Sequence, residues 1–234
     1  MQLLDAGCGS GAITIGLARR TAPGRLVGID LEPGQVARAR ALAAQRQATN
    51  VRFAAADLYR LPFPDGSFDA AFAHNVLEHL ADPLAAMLEI RRVLRPGGVV
   101  GVRDPDFGTA VLSPPIPLVE RAGRLLVRLR ALGGGRPRDA RHHRRLLLRA
   151  GFVRCAGFAF AECQGGVAET RAFAAVFAEV LGRPDTIAAA VARGWAEPAT
   201  LGAMPAAIRA WGERPDAFRA LLDCAAVGWK PDAR

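Results

Sequence analysis

The sequence predicts an α/β fold in which a mostly parallel sheet carries helices on both faces. Over the first hundred residues, short apolar runs typical of strands alternate with helical patterns. Such alternation favours parallel strands, because each crossover helix returns the chain to the same end of the sheet. A glycine-rich loop at residues 7–11 separates the first apolar run, Leu3 and Leu4, from the first helical pattern. A bare backbone there lets a ligand approach the amides of the following helix, which predicts a ligand site.

Four further strands are predicted in the first half of the chain, at residues 26–30, 51–56, 68–73 and 99–103. The second of the five strands ends in Asp30, and the third is followed by Asp57, so an acid stands at each carboxyl end. Pro33 suits a helix N-terminus. Apolar spacing over residues 83–94 predicts another helix. Turns are predicted from Pro, Gly and Asp at residues 62–67 and 95–98.

The second half of the chain is predicted to be largely helical. Residues 118–132 are amphipathic, with apolar residues on one side and arginines on the other. This helix either covers its own core, which is the simpler interpretation, or touches a membrane surface. Further elements are expected as a glycine break at 133–135, a helix at 144–150, a strand at 152–160, a helical run at about 167–218 and a last strand at 221–228.

Composition narrows the class of protein. A chain of 234 residues, 51% of them hydrophobic, is expected to form one domain or one domain with a cap. No apolar run reaches the ~18 residues of a membrane span, and the first residues lack the basic segment of a secretory signal. The four scattered cysteines, Cys8, Cys155, Cys163 and Cys224, have no zinc spacing and indicate free thiols in a reducing, cytoplasmic compartment.

The net charge of +9 comes from arginine, since Lys230 is the only lysine. The excess of positive charge is concentrated in residues 136–145. Such a patch can meet phosphate or nucleic acid, but a solvated surface is the simpler interpretation. No aromatic residues are interleaved with these arginines, as a stacking platform for single strands requires. We therefore expect no nucleic-acid partner.

Six motifs occur in an order that resembles a known family. They are residues 3–11, Asp30, Asp57, residues 61–69, residues 75–80 and residues 92–98. Together they resemble the class I S-adenosylmethionine-dependent methyltransferases, in particular the small-molecule branch near the ubiquinone- and menaquinone-biosynthesis enzymes. The resemblance covers residues 1–104, and 141–160 and 219–230 more loosely.

The resemblance implies a Rossmann-like methyltransferase fold, with a doubly wound, seven-stranded, mostly parallel sheet and a helical cap inserted before the last strand. The core is expected at residues 1–165 and 219–234, and the cap at residues 166–218. The implied cofactor is S-adenosylmethionine. The implied cofactor-binding residues are Asp5, Gly7, Gly9, Asp30, Leu31, Asp57, Leu58, His74 and Asn75.

Each part of that implied site has a role. Gly7 and Gly9 would let the backbone pass close to the methionyl and ribose parts, and Asp5 would orient the loop or meet the ammonium group through water. Asp30 would accept both ribose hydroxyls. Asp57 would meet the adenine amino group, with the Leu58 amide at a ring nitrogen and the backbone of His74 and Asn75 at the methionyl end. The alternative for each acid is a loop carboxylate that caps a helix or faces water.

A nicotinamide-binding Rossmann domain is the nearest rival interpretation. Gly7, Gly9 and Ala12 satisfy its G-x-G-x-x-A pattern, and Asp30 would be its ribose acid. That family does not explain Asp57 with its Pro-rich turn, or the Leu-Glu-His stretch at residues 77–79. The methyltransferase interpretation accounts for both.

Methyl transfer mainly requires that the nucleophile be held close and aligned. A protonated acceptor also needs a general base, and His79 and His74 are the candidates because histidine titrates near neutral pH. His79 has an equally simple structural interpretation. In some quinone O-methyltransferases the positions matching Asn75, Glu78 and His79 bind a metal, but the first is not an acid here. We therefore expect no essential metal.

The acceptor is predicted from what the motifs lack. The Asn/Asp-Pro-Pro-Tyr/Phe motif of amino-methylating enzymes does not follow the fourth strand, and the Pro-Cys nucleophile of cytosine methylation is missing. A small molecule, either a natural product or a quinone-like compound, is expected to be methylated on oxygen or carbon. Large side chains of the cap would line its pocket or simply form the core of the cap: Phe173, Phe177, Trp195, Met204 and Trp211.

A second hypothesis concerns the N-terminus. Only Met1 and Gln2 precede the first strand, where members of the family usually carry helices that fold over the cofactor. The chain is then a cofactor-binding or partner-dependent methyltransferase-like protein with little activity alone. Three explanations stay open: the start site is misplaced, a homodimer or another partner chain supplies the lid, or the site is open.

Overall fold

The computed structural model describes residues 1–233 and contains a seven-stranded sheet of order β3-β2-β1-β4-β5-β7-β6. The strands are β1 (Gln2–Ala6), β2 (Arg25–Asp30), β3 (Val51–Ala55), β4 (Phe68–His74), β5 (Leu94–Ser113), β6 (Val153–Gln164) and β7 (Phe218–Trp229). The pairings β1–β2, β1–β4, β2–β3 and β4–β5 are all parallel. This confirms the predicted α/β class and the mostly parallel, doubly wound sheet.

Eight helices connect the strands. They are α1 (Ala12–Thr21), α2 (Pro33–Gln45), α3 (Pro83–Val93), α4 (Pro117–Arg130), α5 (His143–Arg149), α6 (Val167–Gly182), α7 (Pro184–Ala192) and α8 (Pro198–Gly212). Five of them begin with proline. Proline suits the first helical position because its φ is already helical and its missing N–H would have no partner there. The Asp82 carboxylate also caps α3 by accepting from Ala85 N at 3.0 Å.

The chain divides into two compact units, and the division falls within β5, β6 and β7. The first unit comprises Met1–Asp104, Asp139–Ala159 and the residues from Cys224 onward. Its core is an apolar layer that includes the fully buried Leu4, Met87, Ile90 and Val100. Because β1, β2, β3 and β4 are parallel neighbours, their carboxyl ends lie along one edge of the sheet. The loops that follow those strands therefore share this edge.

The second unit comprises Pro105–Arg138 and Phe160–Asp223. Its core contains side chains of α4, including Val119, Ala122 and Leu125, packed with Met204 and Trp211 of α8. The apolar stripe of the predicted amphipathic helix is thus buried within its own unit. In this division residues 105–138 belong to the same unit as the helical segment. The sequence analysis placed them in the cofactor-binding core instead. The difference arises because the apolar stripe of α4 is buried against helices that lie further along the chain.

Some element boundaries also differ from the sequence prediction. β5 begins at Leu94, so it includes the glycine turn predicted at 95–98. The reason is a backbone ladder in which Gly97 N donates to Lys230 O at 3.1 Å and Lys230 N donates to Gly98 O at 2.8 Å. The predicted helical run ends at Gly212, and Phe218 already belongs to β7. Among residues 1–233, none of the helices has the length and apolar character needed to cross a membrane.

Candidate cofactor site

The loop after β1 is held in place by backbone hydrogen bonds. The amides of Gly7 and Cys8 both donate to Ile29 O, at 2.8 and 2.7 Å, which ties the loop to the end of β2. Gly7 has φ +85°, and a Cβ built on it would lie 2.3 Å from Val76 Cγ2. Only glycine therefore combines this backbone conformation with this close approach. The loop leads into α1 through Gly11, a glycine N-cap, and Ala12 and Ile13 of the first turn line the cavity described below, an arrangement typical of anion sites.

Asp5 lies beneath the loop and is almost fully buried. Its Oδ2 accepts a hydrogen bond from Thr14 Oγ1 at 2.7 Å. Burial raises the pKa of Asp5 to about 6, the Thr14 hydrogen bond opposes this rise, and the nearby charge of Asp30 adds to it. Asp5 is thus an acid whose proton is held more tightly in the folded protein than in a free chain.

Asp30 ends β2 and stabilises two loops at once. Its Oδ2 accepts from Gly9 N at 2.9 Å, and its Oδ1 accepts from Glu32 N at 3.0 Å. An ionised carboxylate has about four acceptor positions, so capacity remains for hydroxyl groups of a ligand. Asp57, after β3, is placed comparably, with Oδ1 accepting from Tyr59 N at 2.8 Å. Both acids therefore lie at carboxyl ends of parallel strands with their orientation fixed by backbone amides.

The end of β4 forms the opposite wall. Asn75 adopts the left-handed region at φ +56°, which asparagine tolerates better than most residues. His74 stacks on the ring of Phe72, with the planes 11° apart. His79 ends a single 3-10 turn, Leu77–His79. Its side chain is 58% exposed, and Nε2 lies 3.6 Å from Glu78 Oε1. An exposed imidazole at this position is accessible to an acceptor molecule.

A buried aspartate–histidine pair supports this wall, and sequence reasoning missed its role. Asp104 Oδ1 accepts from Val76 N at 2.7 Å, and Asp104 Oδ2 lies 2.8 Å from His143 Nε2. Both side chains are buried; the two atoms meet the distance of an ion pair but not the angle of a hydrogen bond. Asp104 thus positions Val76, which packs over Gly7. The sequence feature that could have identified Asp104 is its position directly after the predicted fifth strand.

One cavity of about 610 Å³ brings these residues together. All ten residues singled out from the sequence line it: Asp5, Gly7, Gly9, Asp30, Leu31, Asp57, Leu58, His74, Asn75 and His79. Lining residues that the sequence analysis did not assign to the site include Cys8, Ile29, Tyr59, Val76 and Leu80. Most of them are apolar or aromatic side chains next to the motifs. Their residue types are common in any core, so the sequence alone does not show that they contact a ligand. Burial raises the pKa of Cys8 to about 12, which disfavours the thiolate form that acts as a nucleophile.

The cavity fits S-adenosylmethionine in size and in chemistry. Its volume lies within the range of about 300–1,000 Å³ typical of small-molecule sites. Two carboxylates, Asp30 and Asp57, accept from hydroxyl or amino groups, and the first-turn amides at Ala12 and Ile13 suit a carboxylate. The apolar side chains of Ile29 and Leu58 suit an aromatic base. Fold and site together indicate a domain that binds a nucleotide-type cofactor.

Comparison with known proteins gives the same class. Residues 4–102 match the family model described as "Methyltransferase domain". An uncharacterized methyltransferase of Schizosaccharomyces pombe is 38% identical over 121 residues, covering 48% of this chain and 43% of that protein. A demethylmenaquinone methyltransferase of Thermus thermophilus is 40% identical over 97 residues, covering 42% of this chain and 44% of its own length. The chain thus spans less than half the length of these curated relatives.

A solved structure extends the similarity over the whole chain. The cyclase SpnF aligns with 99% of this chain and 76% of its own, at 29% identity and a TM-score of 0.56. Residues 4–102 therefore carry a methyltransferase domain, which confirms the resemblance that the motifs indicated. This domain match supports S-adenosylmethionine as the cofactor.

Asn75, Glu78 and His79 are the positions at which the resemblance raises a metal site. Among residues 1–233, no group of three His, Cys, Asp or Glu side chains is arranged to hold a metal ion. The expectation of metal-independent activity stays a prediction, and assay of the enzyme with and without a chelator tests it.

Proposed function

We propose that this protein transfers the methyl group of S-adenosylmethionine to a small-molecule acceptor. The observation that carries the proposal is the single cavity in which the glycine loop, Asp30, Asp57 and the β4 end converge. When bound, the cofactor supplies an electrophilic methyl group on a sulfonium. The protein's contribution is to hold that cofactor and align the acceptor, which is the main source of rate in such displacements.

The acceptor is proposed to be a natural product or a quinone-like compound, methylated on oxygen or carbon. The Thermus relative is named for demethylmenaquinone, which supports the quinone-like class. His79 and His74 are proposed as alternative general bases for a protonated acceptor, because both line the cavity. Loss of a general base lowers kcat by about 10²–10⁴-fold. Measuring kcat of His79→Ala, His74→Ala and wild type over a pH series distinguishes the two candidates, because only loss of the actual base lowers kcat by this factor.

The cofactor site is tested first by calorimetry. Wild type is expected to bind S-adenosylmethionine with micromolar affinity. Asp30→Asn is expected to weaken binding by about tenfold or more, since a charge-assisted hydrogen bond contributes about 1.5–3 kcal/mol. Asp185→Asn, which removes an exposed acid of α7, is the matched control and should bind as wild type does. No binding heat for wild type, or equal affinity for Asp30→Asn, refutes the proposed site.

A second candidate function is cofactor binding with little turnover by this chain alone. SpnF is named as a cyclase although it aligns with 99% of this chain, so the fold by itself does not specify methyl transfer. Screening candidate acceptors for a mass gain of one methyl group separates the two functions. Cofactor binding without any methylated product, with and without a candidate partner chain, favours the second.

A further inference from the structure

A second cavity, of about 430 Å³, lies entirely within the second compact unit. It is formed by the end of β5, one face each of α4 and α6, and the start of β7. Apolar side chains from three of these elements, among them Leu112, Val127 and Val180, form most of its wall. Val176 of α6 lines it and is 64% exposed, so the cavity opens to solvent there. Its volume suits a small organic ligand.

The charged residues of this wall are strongly unbalanced. Among the described lining residues there are four arginines, Arg124, Arg130, Arg138 and Arg219, and one acid, Glu120. The Glu120 carboxylate lies 3.9 Å from the Arg124 guanidinium, Oε2 to Nη1, so it partly compensates the charge of Arg124 and of no other arginine in this wall. The remaining excess of positive charge inside an apolar cavity favours an anion.

Arg219 is the most buried of the four, with 8% of its surface exposed. Its guanidinium lies over the ring of Phe173, 4.4 Å from the centroid, and donates to Gln164 Oε1. Burial lowers the pKa of Arg219, while Glu162 and Asp223 oppose that effect. An arginine remains charged in proteins, so a cation is fixed in the wall of this cavity.

Arg130 provides an independent observation. Its guanidinium lies over the ring of Phe107, 4.2 Å from the centroid. Its Nε is buried and has no hydrogen-bond partner anywhere in residues 1–233. Buried donors are nearly always paired in folded proteins, and each exception needs an explanation. An acceptor supplied by a bound molecule would satisfy this donor.

We propose that the cavity binds a small molecule with an apolar body and one anionic group. The guanidiniums of Arg130 and Arg219 bind the anion, since the planar fork matches carboxylate and phosphate oxygens. The apolar wall takes the body of the ligand. The proposal concerns binding in the second unit and does not depend on methyl transfer.

The test is calorimetry on the full chain with decanoate and decyl phosphate below their critical micelle concentrations and with decanol below its solubility limit. One molecule of decanoate or decyl phosphate is expected to bind per chain, at least tenfold more tightly than decanol. The tighter of the two anions identifies a carboxylate or a phosphate as the preferred group. Absence of anion binding, or equal binding of decanol, overturns the proposal.

Two variants locate the site. Arg130→Gln and Arg219→Gln are each expected to weaken anion binding by about tenfold or more. Arg121→Gln is the matched control, because Arg121 is exposed on α4 and lies outside this cavity. If Arg219→Gln does not fold, because Arg219 is buried, the affinity of Arg130→Gln for the anion tests the assignment of the site by itself. Equal loss of binding in Arg130→Gln and Arg121→Gln would show nonspecific attraction to positive charge and would overturn the assignment.

Discussion

The buried acid beneath the glycine loop predicts a specific pH dependence of stability. The pKa of Asp5 rises from 3.8 to about 6 on folding, so between these values the folded state binds more protons than the unfolded state. The free energy of unfolding therefore falls as pH rises through this window. Asp5→Asn removes the titrating group while an amide oxygen can still accept from Thr14 Oγ1.

The expected magnitude follows from the size of the shift. Two units of pKa correspond to about 3 kcal/mol, at 1.36 kcal/mol per unit. The stability of Asp5→Asn relative to wild type should therefore increase by about 2.5 kcal/mol between about pH 4 and about pH 7.5, the remainder of the change lying below about pH 4. Most of this change is expected below about pH 6.5, where the folded-state carboxyl loses its proton.

Urea denaturation followed by circular dichroism at closely spaced pH values measures this difference. Asp185→Asn controls for the loss of one carboxylate at an exposed position. Parallel stability profiles for wild type and Asp5→Asn across the window would refute the reasoning, because the two profiles must diverge if burial holds the proton on Asp5.

Gly7→Ala should lower the free energy of unfolding by about 2–4 kcal/mol, because its positive φ is strained and the new Cβ overpacks against Val76. Gly9→Ala should lower it by only about 1–2 kcal/mol, because a Cβ at Gly9 meets open space within the described residues. Urea unfolding of both variants measures the difference. Asp104→Ala should cost about 1–3 kcal/mol because it leaves the backbone N–H of Val76 without its acceptor. A smaller loss is expected for Asp104→Asn, whose amide oxygen can still accept; equal losses would contradict a role of the side-chain acceptor. A thiol reagent at neutral pH should modify the exposed Cys163 quickly and the buried Cys8 only after denaturation, as mass spectrometry of the labelled peptides can show.

The parts of the site that the sequence predicted are those with local signals. Gly7 and Gly9 stand between a strand and a helix, and Asp30 and Asp57 stand at strand ends, so a short window of sequence places each of them. The parallel sheet then brings these windows to one edge. This is why separate local inferences converge on one cavity.

The parts that the sequence did not predict depend on distant contacts. The neighbour of Asp104 is His143, which lies far along the chain and has no local pattern that marks it as a partner. Likewise, the stripe of α4 is visible in the sequence, but its packing with helices distant in the chain, α8 among them, is not, and residues 105–138 belong with those helices to the second unit. Long-range packing of this kind requires the three-dimensional arrangement.

The two hydrogen bonds from Gly7 and Cys8 to Ile29 O imply that the cofactor loop has its shape before any ligand arrives. Ordering the backbone of a residue costs about 1–2 kcal/mol. A loop held in this way has already lost that freedom during folding, so cofactor affinity is not reduced by it a second time. The association rate is then expected to be governed by diffusion into the cavity and not by slow rearrangement of the loop.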